Sequence, residues 1–474
     1  MINKESLLSS LNLLPSQKIH FIGLYTPRTE YCLIVLLSGL GSSLLISSSD
    51  LISMYLSIEL QSFALYILAT IYVDYESSTS AGLKYFLLGA LSSCFILLGA
   101  GLIYTFTGLT NFESIYSLIS VTISSDLVYG SQQIISGVSL GLILIFIGFL
   151  FKIAAAPLHS WSPDVYDDTP TQVTIWLTII PKIAILVLLL ELQSGLSINP
   201  IIDLPVYDNM INQFNLATNI LNINLNTSYI LKMLLLISSL FSLIIGTIVG
   251  LSQTRIKSLL AYSTVSHLGF ILLALAINTQ QSTDSFIFYI LQYSITNLNI
   301  FLIIIALGYI LNIEGIKTFS NSNNVYFFDY DIKLISYFKG QFFYNSILSL
   351  SLIICLFSLA GIPPLLGFFS KQFVLLSAVE SGYWFMAFVA ILTSVISASY
   401  YLRMVVILVT GSDYETDNSN HISAIKNYFN NDSILTNLHS LLISTITLSI
   451  LLFIFKPTLI LNSTQLLSLS LFYC

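Results

Sequence analysis

Eleven stretches of this chain are apolar over about the thickness of a bilayer, and they leave it little choice of fold. A spanning helix needs about 20 such residues. The runs lie at 31–49, 51–73, 81–107, 137–160, 171–191, 228–250, 258–277, 284–311, 342–378, 382–408 and 436–456. No water is present in hydrocarbon to satisfy backbone groups, so each run must be helical. Composition agrees: 8% of residues are charged, against about 25% in soluble proteins. The net charge of −7 says little about partners, because placement of charge matters more than its sum. No basic run suggests nucleic acid.

The polar connections give an orientation. Of 16 Lys and Arg, three lie inside apolar runs. With connections assigned alternately to two sides, the side of the N-terminus collects 11 of the others, and the opposite side has only Lys232 and Lys456. The positive-inside rule makes the basic side the cytoplasm or mitochondrial matrix, with the C-terminus outside. The first 30 residues hold Lys4, Lys18 and Arg28 without a long apolar core, unlike a secretory signal and poor as a transit peptide.

The expected fold is an all-α polytopic membrane protein of about 11 transmembrane helices: two inverted five-helix repeats, each with a broken helix, plus one C-terminal helix. The segments are an N-terminal piece (1–30), a first repeat (31–191), a polar insertion loop (192–227), a second repeat (228–408, with an insertion loop at 312–341) and a final loop, helix and tail (409–474). An odd number of helices per set makes the sets opposite in topology. The fourth run of each set is interrupted, by AAAPLHSW at 154–161 and by LAGIPPLLGF at 359–368. Pro removes a backbone donor, and breaks at matching positions of two halves point to a transport site.

The three embedded lysines are Lys152, Lys182 and Lys371; Glu59 is embedded likewise. A charge at mid-bilayer costs roughly 2.5–3.5 kcal/mol, and groups retained at that cost mark ion or proton pathways. Burial disfavours the charged form of a lysine and a nearby carboxylate favours it, so moving the partner loads or releases a proton. The competing reading is a static pair, or snorkelling to the interface. Lys371, flanked by Ser370 and Gln372, is the best snorkeller and Lys182 the worst. Glu59 and Lys152 are expected to meet within the membrane. His267, the one histidine well inside a run, titrates near neutrality and suits a relay between lysines, or packing. His159 at the first break reads as structural, Lys84 as an interface anchor, and Asp164, Asp167 and Asp168 as a solvated turn or a proton entry. The four cysteines are isolated, with no CxxC for zinc or an iron–sulfur cluster. Cys32, Cys94 and Cys355 read as packing residues. Walker A, GxGxxG, HExxH and nucleophile-elbow patterns are absent.

The strings DLISMYLSIELQSFALYILATIY (50–72), GLKYFLLGALSSC (82–94), FKIAAAPLHSWSPDVYDDTP (151–170), RIKSLLAYSTVSHLGF (255–270) and LAGIPPLLGFFSKQFVL (359–375) closely resemble the antiporter-like subunits of respiratory complex I. The Asn-rich insertions look most like fungal mitochondrial versions. The resemblance implies proton translocation driven by quinone chemistry elsewhere. It matches Glu59 and Lys152 to an acid–base pair of the first half-channel, Lys182 to the connecting lysine and Lys371 to the lysine of the second half. It implies no cofactor on this chain, with NAD, FMN, iron–sulfur clusters and ubiquinone on other subunits. It further implies a hetero-oligomeric assembly with other membrane-arm subunits, lipids including cardiolipin, and the mitochondrial inner membrane. The family commonly has fourteen helices, and the first three are expected to be missing here. The rivals are an Mrp-type cation/proton antiporter subunit and a non-conducting structural subunit.

Overall fold

The hydrophobic runs are helical in the computed structural model, which describes residues 30–72, 75–124, 129–197, 227–319, 331–410 and 437–473. The helices in chain order are α1 (Glu30–Ile46), α2 (Leu51–Ala69), α3 (Glu76–Thr107), α4 (Phe112–Ser124), α5 (Tyr129–Lys152), α6 (Trp161–Asp168) and α7 (Thr171–Ser197). Then come α8 (Thr227–Leu251), α9 (Ile256–Ile277), α10 (Gln280–Phe319), α11 (Gln341–Tyr344), α12 (Ser346–Ala360), α13 (Leu366–Glu380), α14 (Trp384–Val409), α15 (Asn437–Leu452) and α16 (Thr458–Tyr473). Eight described helices are long and apolar enough to cross a membrane. Runs one, four and nine correspond to the shorter apolar helices Glu30–Ile46, Ser136–Lys152 and Ser346–Ala360.

Both expected breaks are present and share a local plan. After α5, Ala154 takes a left-handed conformation (φ 63°) two positions before a cis Ala156–Pro157 peptide. After α12, Gly361 does the same (φ 86°) two positions before a cis Pro363–Pro364 peptide. Each break thus leaves the C-terminal carbonyls of a half-helix inside the protein. Those carbonyls are the negative end of the helix dipole, and a cation is favoured there.

Lipid-like surroundings give helices no hydrophobic reason to associate, so close packing of small residues does the work. A Cβ on Gly141 of α5 would fall 2.8 Å from the Gly99 carbonyl oxygen of α3. One on Gly246 of α8 would fall 2.6 Å from the Ser266 nitrogen of α9. Helix α9 runs through the interior and is buried over almost its whole length. Outer helices turn Leu36, Leu87, Phe385 and Leu438 away from the protein.

The connections gather at two ends. At one, Lys84 meets Asp164, Arg255 meets Asp167, and the backbones of Ile256 and Lys333 bond. At the other, Leu51 N bonds Thr110 O, Gln193 bonds Leu275 O, and Lys232, Asp284, Glu380 and Gln465 line a cleft of about 790 Å³.

Several sequence expectations change. The loop expected at 312–341 begins later and carries structure, because α10 continues to Phe319 and a 3-10 turn covers Ile335–Phe338; residues 320–330 lie outside the described residues. The connection 108–136 contains α4 and the start of α5, and the tail contains α16. The 192–227 loop lies largely outside the described residues. Cys355 is buried, but Cys32 and Cys94 are exposed on outer faces and pack no core.

Candidate functional site

The embedded ionisable residues form a band through the middle of the bundle. Lys152 is the last residue of α5, at the carbonyl end that the first break creates. Its ammonium lies 3.9 Å from Glu59 Oε1 of α2, with side chains 8% and 15% exposed. Neither atom has a hydrogen-bond partner among the described residues. A cavity of about 20 Å³ adjoins Lys152, lined also by Tyr66, Tyr85, Trp161 and Pro181. That is room for about one water molecule.

Pro181 leads to Lys182 of α7. Its Nζ donates to Thr264 Oγ1 of α9 at 3.1 Å, and the side chain is buried. Three residues on along α9, His267 is held between two phenols: Nδ1 is 2.7 Å from Tyr289 Oη and Nε2 is 3.1 Å from Tyr401 Oη. Three residues further, the Phe270 ring lies 5.7 Å from Lys371 Nζ. Residues three apart on a helix are neighbours, so Thr264, His267 and Phe270, on successive turns of α9, serve Lys182, the imidazole relay and Lys371 in turn.

Lys371 does not snorkel. It is 7% exposed, and its Nζ donates to the Ala360 carbonyl oxygen at 2.9 Å, capping the half-helix α12. The break places the start of α13 inside the protein, so Ser370 beside it bonds inward, to Gln292. Both breaks therefore set a lysine at the end of a half-helix.

The acidic residues after the first break are more structured than a solvated turn. Asp164 pairs with Lys84 at the surface, while Asp167 is buried against Arg255. Lys84 is half exposed and paired, consistent with an anchor. His159 sets its ring near Tyr262, 6.1 Å between centroids.

Reading the sequence missed a buried ion pair. Lys257, 1% exposed, donates to Asp331 Oδ2 at 2.8 Å and to the Thr169 carbonyl at 2.7 Å. Asp331 also accepts from the Thr171 hydroxyl at 2.8 Å, placing a carboxylate at the N-terminus of α7. Lys257 sits at a run boundary and looks like an interface cation; only its neighbours distinguish it. The partners Thr264, Tyr289 and Tyr401 were missed too, since side chains of these types are ordinary in apolar helices. Among the described residues no group of His, Cys, Asp and Glu is arranged to hold a metal.

A bundle whose interior carries a chain of lysines, two of them at breaks, defines the class of antiporter-like membrane subunits. The chain belongs to the family described as NADH:quinone oxidoreductase/Mrp antiporter, TM, which matches residues 48–206 and 210–397. It is 50% identical over 456 residues to NADH-ubiquinone oxidoreductase chain 2 of Rhizopus oryzae, covering 94% of this chain and 78% of that one. A chain of respiratory complex I from Thermus thermophilus is 25% identical, with a TM-score of 0.65, covering 93% of this chain and 82% of its own. A chain of the Mrp complex from Dietzia shares the fold at 18% identity and a TM-score of 0.66, covering 92% of this chain and 77% of its own.

Proposed function

We propose that this chain is a proton-translocating membrane-arm subunit of NADH:ubiquinone oxidoreductase in the mitochondrial inner membrane, and that Glu59, Lys152, Lys182, His267 and Lys371 carry its protons. The observation behind this reading is the two-turn stretch of α9 that meets Lys182 at Thr264, holds His267, and reaches Lys371 at Phe270.

The chemistry follows from the neighbours. A proton moving from the Lys152 ammonium to the Glu59 carboxylate leaves a neutral pair, which a site of low dielectric tolerates. Neutral imidazole has one donor and one acceptor nitrogen, and a hydroxyl is both. The string Tyr289–His267–Tyr401 can therefore reverse direction as a proton passes. Quinone chemistry on other subunits drives these steps, and NAD, FMN and iron–sulfur clusters belong to those subunits. The basic side faces the matrix in this reading, which the 11 to 2 distribution of cations supports. The outward leucines meet neighbouring subunits and lipids, cardiolipin among them.

Lys182→Met tests the reading, since it keeps length and removes charge. The complex should assemble while proton pumping falls severely and coupled electron transfer falls with it. Wild-type proton stoichiometry in the assembled variant would refute it. An Mrp-type role is separated by a native gel: this chain should migrate with NADH dehydrogenase activity.

A further inference from the structure

Among the described residues Lys182 differs from Lys152 in having no acid paired with it. Among the described residues its only hydrogen bond is to Thr264, whereas Lys152 has Glu59. Two aromatic faces stand where a carboxylate would. The Tyr166 ring centroid is 5.5 Å from Lys182 Nζ and that of Tyr293 is 6.0 Å away. Both tyrosines are 1% exposed. A ring face is the negative end of the ring quadrupole and attracts an ammonium within about 6 Å, most strongly when water is excluded.

The two rings belong to different elements. Tyr293 is on the long helix α10, its hydroxyl 3.4 Å from the Thr178 carbonyl oxygen of α7. Tyr166 is on the eight-residue helix α6, beyond the first break. Its hydroxyl has no partner among the described residues, so what it offers Lys182 is the ring. Helix α6 is gripped from outside by Lys84, Arg255 and, at Thr169, Lys257. At its other end Trp161 donates to the Phe151 carbonyl and stacks on Tyr85, beside the cavity at Lys152. This short element thus touches the surroundings of both lysines.

We propose that Tyr166 and Tyr293 form a split aromatic cage that holds the Lys182 ammonium in place of a carboxylate, with Tyr166 a positioning residue through which α6 sets how firmly Lys182 keeps its proton. The inference rests on Lys182 as a proton carrier and adds what governs its charge. With α6 seated, both walls favour the loaded lysine; with α6 displaced, one wall is withdrawn and release is favoured. Of the other ionisable groups on elements packed against α7, Glu59 on α2 and Lys152 on α5 pair together, His267 on α9 is held by phenols, Lys257 on α9 pairs with Asp331, and α10 carries Asp284, Glu314 and Lys317 towards its two ends. Helices α1, α4 and α8 carry theirs near the ends, at Glu30, Glu113 and Lys232.

The test is the pH profile of protons pumped per electron by the assembled complex in vesicles. Losing one wall should weaken protonation of Lys182 about tenfold and move the alkaline limb lower by about one pH unit. Tyr166→Leu should show this shift; Tyr166→Phe, which keeps the ring face, should move the limb by less than a third as much. If Tyr166→Leu does not assemble, Tyr293→Leu removes the opposite wall and carries the same expectation. An unshifted limb in an assembled leucine variant overturns the cage, and so does a Tyr166→Phe shift as large as that of leucine. Lys182→Met, run alongside, separates the two failures: normal pumping there removes the proton-carrier reading, while lost pumping with unshifted leucine variants removes the cage alone.

Discussion

Replacing Glu59 with Gln keeps the shape of the side chain and deletes its charge, leaving Lys152 Nζ without the carboxylate now 3.9 Å away. At an effective dielectric of about 20, two charges about 4 Å apart attract by about 4 kcal/mol. Removing one partner of a buried pair is measured at about 3–5 kcal/mol, the same scale. About 4 kcal/mol is close to a thousandfold in the equilibrium between charged and neutral Lys152. The variant should assemble less well and should pump few protons per electron in proteoliposomes. Glu59→Asp keeps the charge on a shorter arm and should be milder. Glu59→Gln combined with Lys152→Met removes both charges; it should recover assembly without recovering pumping, which separates the proton role from packing. An assembled Glu59→Gln complex with wild-type proton stoichiometry would overturn the pairing.

Three further outcomes are expected. Asp331→Asn removes the counter-charge of buried Lys257 and should lower the thermal stability of the complex by about 3–5 kcal/mol equivalent; an unchanged melting profile would contradict it. Gly361→Ala adds a Cβ 3.0 Å from Lys371 Cδ at φ 86°, and should depress pumping as well as costing about 1–2 kcal/mol of backbone strain. Gly108→Ala, at φ 70° with open space around it, should bear the strain alone, so equal pumping losses in the two variants would remove Lys371 from the explanation. Single cysteines at Lys333 and Gln465 should react with impermeant reagents from opposite sides of the membrane; labelling from one side would overturn the topology.

The embedded charges were legible because a lysine in an apolar run has few reasons to be there. Glu59, Lys152, Lys182, His267 and Lys371 could each be found in this way, and the two breaks by their prolines. Their surroundings were hidden. Tyr166 and Tyr293 are two of 27 tyrosines, and nothing in their local sequence separates a ring under a cation from one in packing. Lys371 looked able to snorkel because its polar neighbours suggest an interface, but the break sets the start of α13 in the interior. Lys257 lies at a run boundary, where a cation is ordinary, and its burial depends on Asp331, 74 residues away. The length of α10 was misjudged because Asn312 and Glu314 break the apolar run without breaking the helix.

The clasp at Lys257 also has a consequence for the order of synthesis. Its two acceptors flank it in the chain: the Thr169 carbonyl lies 88 residues upstream and the Asp331 carboxylate 74 residues downstream. When α9 leaves the ribosome, the first acceptor already exists and the second does not. The lysine can be seated by its backbone contact at once, but its charge stays unanswered until α10 has followed. The same carboxylate then reaches back to Thr171 at the head of α7. The first half of the protein is thus fastened at that point by a residue made long after it, and a nascent chain stalled before Asp331 would hold its helices without the ionic fastening between them.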